Sequence, residues 1–265
     1  MPDAISMPVL FLGHGSPMNA IEDNAFSRGW AAIGRELPRP RAILIVSAHW
    51  ETEGVFLTGS EAPETIHDFY GFPKALFDVR YNAPGARWLA ERAQTLLGTS
   101  SVKPTRLRLD EGRGFDHGVW SVLRPMYPAA DIPIVQLSLD RSLTPDQHLE
   151  LGKALAPLRD EGVLIIGSGD IVHNLRVDFR RAETPAWAVA FNDRAKALIL
   201  EGNDAALAGY ESLGPEAAAS INSAEHYLPL LYVLALRRPG DTIRFFNDTV
   251  FAAISMTSIV MSEAA

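Results

Sequence analysis

The chain has 265 residues, no cysteine and a formal net charge of −8 at pH 7. The absence of cysteine excludes disulfides, thiolate metal ligands, iron–sulfur clusters and cysteine nucleophiles, so any bound metal needs histidine or carboxylate ligands. The acidic balance, without a long basic stretch, argues against a nucleic-acid partner.

The longest apolar run, residues 227–236, is about half of the ~20 residues that a membrane span needs. The first residues do not resemble a secretion leader. We therefore expect a soluble, cytoplasmic protein without a membrane partner. No internal repeat or long linker divides the sequence, so a single domain over residues 1–265 is expected.

Short apolar runs alternate along the chain with longer amphipathic stretches. Runs rich in β-branched residues predict strands buried on both faces, as in a largely parallel sheet. The predicted strands cover residues 9–12, 43–46, 134–139 and 163–166, with a C-terminal strand over 252–261. The predicted helices cover residues 84–97, 119–126, 144–159 and 186–200. This rhythm favours an α/β fold, a single-domain αβα sandwich around a largely parallel or mixed sheet.

Three of the seven histidines follow predicted strands. His14 and His49 come almost directly after strands 9–12 and 43–46, and His173 follows strand 163–166 after a longer loop. Ligands of open α/β sheets bind beyond the carboxyl ends of the strands. We therefore expect these three imidazoles to meet at one edge of the sheet.

The other polar clusters are ambiguous when each is taken alone. Asp116 suits a helix N-cap that leaves His117 on the surface. Glu225 and His226 suit the first turn of an apolar helix. His148, inside the predicted helix 144–159, is expected to be exposed.

Four aromatic side chains follow His67 in the sequence. Aromatic residues at such spacing form a core more often than a ligand pocket, so both interpretations stay open and the core is favoured. The four are Phe69, Tyr70, Phe72 and Phe77.

Six motifs, in order between about residues 8 and 236, together carry a family resemblance. They are Leu12-Gly-His14-Gly-Ser-Pro-Met-Asn, Ser47-Ala-His49-Trp, Ile66-His67-Asp68-Phe69, Phe115-Asp116-His117-Gly118, Val172-His173-Asn174-Leu175 and Glu225-His226-Tyr227-Leu228-Pro229. The sequence resembles the DOPA-dioxygenase-type branch of the class III extradiol ring-cleavage dioxygenases. The resemblance implies an α/β enzyme that opens a catechol ring with O₂, so the expected partners are a small-molecule catechol and O₂.

The resemblance also implies a metal ion bound by His14, His49 and His226. It places His173 either as a fourth ligand or as the acid–base group, and His117 either behind the metal ligands or in contact with the substrate. Fe(II) is expected for activity, although iron oxygenases usually pair two histidines with a carboxylate. An all-histidine set also suits Zn(II), which is able to occupy the site in purified protein.

Several roles are assigned as hypotheses. We assign His173 to remove a catechol proton and expect Asp116 to orient His117. Three arginines are candidates for binding a substrate carboxylate, namely Arg113, Arg124 and Arg176. The residues are compatible with 4,5 and with 2,3 cleavage.

Two alternatives use the same histidines. A zinc-dependent hydrolase, such as an amidase or peptidase, would activate a water molecule there. A non-catalytic metal-binding protein is the other alternative, because a fold does not fix a function.

Overall fold

The structure is a computed structural model that describes residues 6–178 and 183–264. Its strands are β1 (Val9–Gly13), β2 (Ala42–Thr52), β3 (Val55–Thr58), β4 (Leu107–Asp110), β5 (Ile134–Asp140), β6 (Val163–Gly169), β7 (Asp241–Phe246), β8 (Val250–Phe251), β9 (Ile254–Ser255) and β10 (Ser258–Glu263). Its α-helices are α1 (Ala25–Glu36), α2 (Lys74–Phe77), α3 (Arg87–Leu97), α4 (His117–Met126), α5 (Pro145–Lys153), α6 (Ala186–Glu201), α7 (Asp204–Ala208), α8 (Pro215–Ser220) and α9 (Leu228–Leu234).

Eight strands form one mixed sheet in the order β4-β3-β5-β2-β6-β1-β10-β7. The four central strands β5, β2, β6 and β1 are parallel, whereas β3 and β10 run antiparallel to their inner neighbours. Every residue of β1, β5 and β6 is buried. The prediction of an α/β fold around a largely parallel or mixed sheet is confirmed.

Apolar clusters on both faces of the sheet explain why its central strands are apolar throughout. Along β1, Val9 and Phe11 belong to one cluster, and Leu10 and Leu12 belong to the other. Successive side chains of a strand point to opposite faces, so a strand covered on both sides needs apolar residues at every position.

Two predicted helices are shorter than expected. The helix predicted over 84–97 begins at Arg87, because the carbonyl of Pro84 accepts the N–H of Ile134 and stays in an extended segment. The helix predicted over 144–159 ends at Lys153 and is followed by a separate 3-10 helix, Ala156–Glu161. Pro157 in the first turn of that segment lacks an N–H to continue the α-helical ladder.

The other predicted elements differ mainly at their ends. Helix α6 matches the predicted 186–200 to within one residue, and Gly202 ends it with a φ of 72°. The C-terminal strand predicted over 252–261 is wrong at its start, because Ala252 has a φ of 50° in a turn and β10 begins only at Ser258. In the described part of the chain, no helix is long and apolar enough to cross a membrane.

The neighbouring strands β2, β6 and β1 end at the same edge of the sheet. The N–H of His14 donates to the carbonyl of Gly169 at 3.0 Å, which ties the end of β1 to the end of β6. The segment before α9 packs so closely on this edge that a Cβ at Gly169 would lie 2.1 Å from the carbonyl oxygen of His226. Glycine therefore allows His226 to reach the strand ends.

Candidate active site

Five histidines lie together at this edge and line one cavity of about 510 Å³. The predicted convergence of His14, His49 and His173 is observed, although β2 extends to Thr52 and so contains His49. The other two histidines are the first residue of α4 and a residue of the segment before α9. The five are His14, His49, His117, His173 and His226. His67 does not line this cavity, and its Nε2 lies 3.0 Å from the carbonyl oxygen of Val79.

Three of these histidines have neighbouring rings, and two of them lie close enough to share one metal ion. The ring centroid of His14 lies 5.0 Å from that of His49 and 5.3 Å from that of His226. The centroids of His49 and His226 are 4.9 Å apart. The Nε2 atoms of His14 and His49 are separated by 3.1 Å. Two nitrogens bound to one ion at ~2.1 Å lie about 3.0–3.4 Å apart, so this pair fits a shared ion.

The imidazoles are in the protonation state that metal binding needs. Burial lowers the pKa of His14 and of His226 well below the ordinary range, and the neighbouring histidines lower both further. Burial, followed by the charge of His117, lowers the pKa of His49 to about 3. Metal ligands must be neutral imidazoles, so these side chains are ready to bind a cation at neutral pH.

An unpartnered carboxyl group adds to this fit. Asp170 is buried, and its Oδ2 atom has no hydrogen-bond partner within the described residues. That oxygen lies 3.6 Å from Nε2 of His14, and burial raises the pKa of Asp170 well above the ordinary range. A cation bound beside Asp170 would offset this cost of burial and favour the ionised carboxylate, so the residues fit a metal ion.

The described residues contain three groups of side chains whose potential ligand atoms all lie within 4.8 Å of one another. Each predicted ligand belongs to at least one of them, but none of the three groups contains His14, His49 and His226 together. The groups are His14–His49–His117, His14–Asp170–His226 and His173–Glu225–His226. His173 stacks on His226, with ring centroids 3.4 Å apart and an angle of 7° between the rings.

The prediction that Asp116 orients His117 is wrong. Its Nδ1 lies 2.9 Å from Oδ1 of Asp68, and the side chain of Asp116 makes no capping hydrogen bond. His117 is also 6% exposed rather than on the surface. Local sequence could not reveal this contact, because Asp68 lies 49 residues away in a different motif.

Asp116 instead supports the end of β2. Its buried carboxylate accepts hydrogen bonds from Ser47 and Arg113 at 2.8 and 2.9 Å, and from Gln136. Ser47 and Arg113 also contact the backbone N–H and carbonyl of His49, at 3.3 and 3.2 Å. The aspartate therefore fixes the strand segment that presents His49.

Apolar side chains form the outer wall of the cavity. Three of the four aromatic residues expected to form a core, Phe69, Tyr70 and Phe72, line the cavity instead. Phe69 and Phe72 also pack against an apolar cluster, so they belong to the pocket and to the core. Phe77 lies behind Phe69, with ring centroids 5.0 Å apart. Leu175 continues the wall at the opening of the cavity.

The arginines proposed for a substrate carboxylate do not line the cavity. Arg113 is occupied by Asp116, and Arg124 donates to the carbonyl of Ala20. Arg176 is exposed. Among the described residues that line the cavity there is no lysine or arginine.

A family model of the catalytic LigB subunit of aromatic ring-opening dioxygenase matches residues 8–243. The chain belongs to this family. The 4,5-DOPA dioxygenase extradiol of Escherichia coli (strain K12) is 52% identical over 235 residues, which cover 86% of this chain and 84% of that protein. The Beta vulgaris protein of the same name is 41% identical, with 83% of each chain covered.

A solved structure supports the same relationship. The crystal structure of an uncharacterized protein from Escherichia coli K12 has a TM-score of 0.81 and 39% identity, covering 97% of this chain and all of the other. The predicted family and enzyme class, an aromatic ring-opening dioxygenase, are confirmed, and neither the hydrolase nor the non-catalytic alternative is favoured. LigB-type dioxygenases depend on a metal ion and act on a small aromatic substrate with O₂.

Proposed function

We propose that this LigB-family enzyme is an extradiol dioxygenase that opens a DOPA-like catechol ring and inserts both atoms of O₂. The proposal rests on one observation above all, the five histidines that line a single cavity. Relatives named 4,5-DOPA dioxygenase extradiol support the catechol substrate and favour 4,5 cleavage. A cavity of about 510 Å³ lies within the usual range for a small-molecule site.

We assign His14, His49 and His226 as the metal ligands and Fe(II) as the active metal. When bound, Fe(II) supplies the one-electron chemistry that couples catechol to O₂. Zn(II) suits the same imidazoles but has no redox chemistry, so we expect zinc-loaded protein to be inactive.

His173 is the proposed acid–base group and an additional ligand candidate. Burial lowers its pKa to about 4, although the charge of Glu225 opposes this, so the imidazole is neutral at pH 7 and able to accept a catechol proton. Its stacking on His226 holds it beside a proposed ligand. The negative charge of Glu225 favours the imidazolium that results from proton transfer.

His117 is the second proposed catalytic residue. Its Nδ1 donates to Asp68, which leaves Nε2 as the acceptor for a hydroxyl of the substrate. The carboxylate also fixes the orientation of the ring. The catechol ring then lies between the histidines and the aromatic wall of the cavity, where apolar side chains are able to contact its face.

The decisive experiment is oxygen uptake by protein that has been reconstituted anaerobically with Fe(II), offered catechols that include DOPA and caffeate. We expect one O₂ per catechol and a yellow ring-opened product, whose NMR spectrum distinguishes 4,5 from 2,3 cleavage. Zinc-loaded protein is the control. No uptake with any catechol, despite stoichiometric iron, would overturn the proposal.

The roles of the histidines are tested separately. His173→Ala should retain iron, measured by elemental analysis, and lose about 10²- to 10⁴-fold in kcat, as expected for removal of a general acid–base group. His14→Ala should instead lose the metal. Normal turnover in His173→Ala would remove His173 from the mechanism.

A further inference from the structure

Ser168 lies against the ring of His14 and is fully buried in the centre of the sheet. It belongs to β6, beside Leu12 of β1 and Ser47 of β2 in the strand register. Its Oγ atom lies 3.0 Å from Nδ1 of His14 and 2.6 Å from the carbonyl oxygen of Gly118. The hydroxyl therefore links a proposed metal ligand to the first turn of α4.

The number of hydrogens fixes the direction of both hydrogen bonds. A serine hydroxyl has one hydrogen, and a carbonyl oxygen only accepts, so the 2.6 Å contact requires Ser168 to donate to Gly118. Oγ is then left only as an acceptor toward His14. The ring of His14 must carry its hydrogen on Nδ1, and the lone pair lies on Nε2.

We infer that Ser168 is a positioning residue that selects the tautomer of His14 with Nε2 free for the metal ion. The inference rests on the metal site of the proposed function. Nε2 is the atom that lies 3.1 Å from Nε2 of His49, so the selected lone pair belongs to the nitrogen that fits the shared ion. In the other tautomer, a hydrogen on this atom would block the ion.

The backbone of His14 is held without Ser168. Its N–H donates to Gly169 at 3.0 Å, and its carbonyl accepts the side-chain amide of Asn19 at 3.2 Å. Loss of the Ser168 hydroxyl should therefore leave the residue in place and release only the ring. This separates an effect on the tautomer from a collapse of the strand end.

Gly118 is the third member of this arrangement. A Cβ at this position would lie 2.3 Å from Oγ of Ser47 and 3.0 Å from Cδ2 of His49. The glycine allows the first turn of α4 to approach the sheet closely enough for its carbonyl to reach Ser168. The hydrogen-bond chain thus depends on residues from two separate motifs, Gly118 and His14.

The test compares Ser168→Ala with Ser121→Ala. Ser121 is a buried serine of α4 whose hydroxyl has no hydrogen-bond partner within the described residues, so its loss removes a similar group without touching His14. In metal-free protein labelled with ¹⁵N-histidine, long-range ¹H–¹⁵N spectra report which nitrogen carries the hydrogen. We expect Nδ1–H for His14 in the wild type and in Ser121→Ala, and a mixture of tautomers in Ser168→Ala.

Metal affinity is the second readout, measured for Zn(II) and for anaerobic Fe(II) by competition with a chelator. We expect Ser168→Ala to bind either ion about 10- to 100-fold more weakly, as is typical when the partner of a ligating histidine is removed, and Ser121→Ala to match the wild type. A bare Nδ1 in wild-type His14, or equal affinity in Ser168→Ala, would overturn the role of Ser168 alone. Wild-type protein that binds neither ion would instead overturn the proposed metal site and, with it, this role.

Discussion

Oδ1 of Asp68 accepts two hydrogen bonds from one residue, from Nδ1 of His117 at 2.9 Å and from its backbone N–H at 3.0 Å. Burial alone would raise the pKa of Asp68, but the hydrogen bond from His117 and the charges of His117 and His49 outweigh it and lower the pKa to about 2. This carboxylate therefore fixes both the ring of His117 and the first residue of α4.

Asp68→Asn should lower kcat by about 10- to 100-fold while iron content stays unchanged, because the amide lacks the charge that holds and polarises His117. Asp78→Asn, which removes an exposed carboxylate from the end of α2, is the matched control. Steady-state oxygen uptake gives kcat for both variants. Equal kcat in Asp68→Asn and wild type would show that His117 needs no carboxylate partner.

The same carboxylate has a defined effect on acid stability. Because its pKa in the folded protein is depressed, its stabilising contribution is present above the unfolded value near 4 and is lost as the pH falls through about 2. As the pH falls from 4 to 2, the free energy of unfolding of metal-free wild-type protein should therefore decrease more than that of Asp68→Asn, measured by urea titration. An equal decrease in the two proteins would contradict the low pKa of Asp68.

Gly118→Ala should displace the first turn of α4 and so destabilise the site. The added Cβ would lie 2.3 Å from Oγ of Ser47, so the helix or the end of β2 must shift. We expect a loss of about 1–3 kcal/mol in the free energy of unfolding, as for other overpacked positions, together with weaker metal binding. Gly112→Ala is the control, since its nearest neighbour, Oδ1 of Asp110, lies at 3.7 Å. Urea unfolding and chelator competition provide the measurements, and equal values for the two variants would contradict the prediction.

The meeting of three histidines at one edge is predictable from the sequence because of a property of parallel sheets. His14, His49 and His173 follow apolar runs that become the adjacent strands β1, β2 and β6, whose carboxyl ends share one edge. The side chains that orient these rings were not predictable in the same way. Ser168 lies 154 residues from His14 in the sequence, and only the sheet register brings them together.

Adjacent residues were a misleading guide to contacts. Asp116 precedes His117 directly, yet it contacts Ser47 and Arg113, because neighbouring side chains at the start of a helix point in different directions. The expected exposure of His148 is also wrong, since the side chain is fully buried and its Nδ1 lies 3.0 Å from the hydroxyl of Tyr232. The spacing of the sequence indicates this burial, because the buried positions 148, 151 and 152 have the i, i+3, i+4 pattern of one helix face.

His148 should make the metal-free protein sensitive to acid. Burial lowers its pKa to about 4, against an unfolded value near 6.5. Between these values the unfolded chain binds a proton that the native protein does not, so the free energy of unfolding falls as the pH falls. From pH 7 to pH 5 this residue should contribute a loss of about 2 kcal/mol.

His148→Gln removes this contribution but keeps a polar side chain. The loss of unfolding free energy between pH 7 and pH 5, measured by urea titration of metal-free protein, should be smaller than in wild type by about 2 kcal/mol. The other buried histidines are common to both proteins, so their contributions cancel in the comparison. An identical pH dependence would mean that His148 is protonated in the native state or that it does not titrate in this range.

The opening of the cavity carries two exposed apolar side chains, Tyr70 at 91% and Leu175 at 60% exposure. A substituent that extends from the catechol ring toward solvent would cover part of them. Burial of apolar surface stabilises by about 25 cal/mol per Å², so contact over ~20–40 Å² per side chain corresponds to a two- to fivefold change in binding. Tyr70→Ser and Leu175→Ser should raise KM by that factor for catechols with a large apolar substituent.

The KM for unsubstituted catechol should change little in either variant, because this substrate has no group that reaches the opening of the cavity. Leu200→Ser is the matched control for Leu175→Ser, since Leu200 is 61% exposed but lies on α6, away from the residues that line the cavity. Oxygen uptake across a series of 4-alkylcatechols gives KM for each protein. A KM that rises equally for substituted and unsubstituted catechol would mean that these residues affect the whole site. Selective loss with longer alkyl chains would instead place the substituent against Tyr70 and Leu175 during turnover.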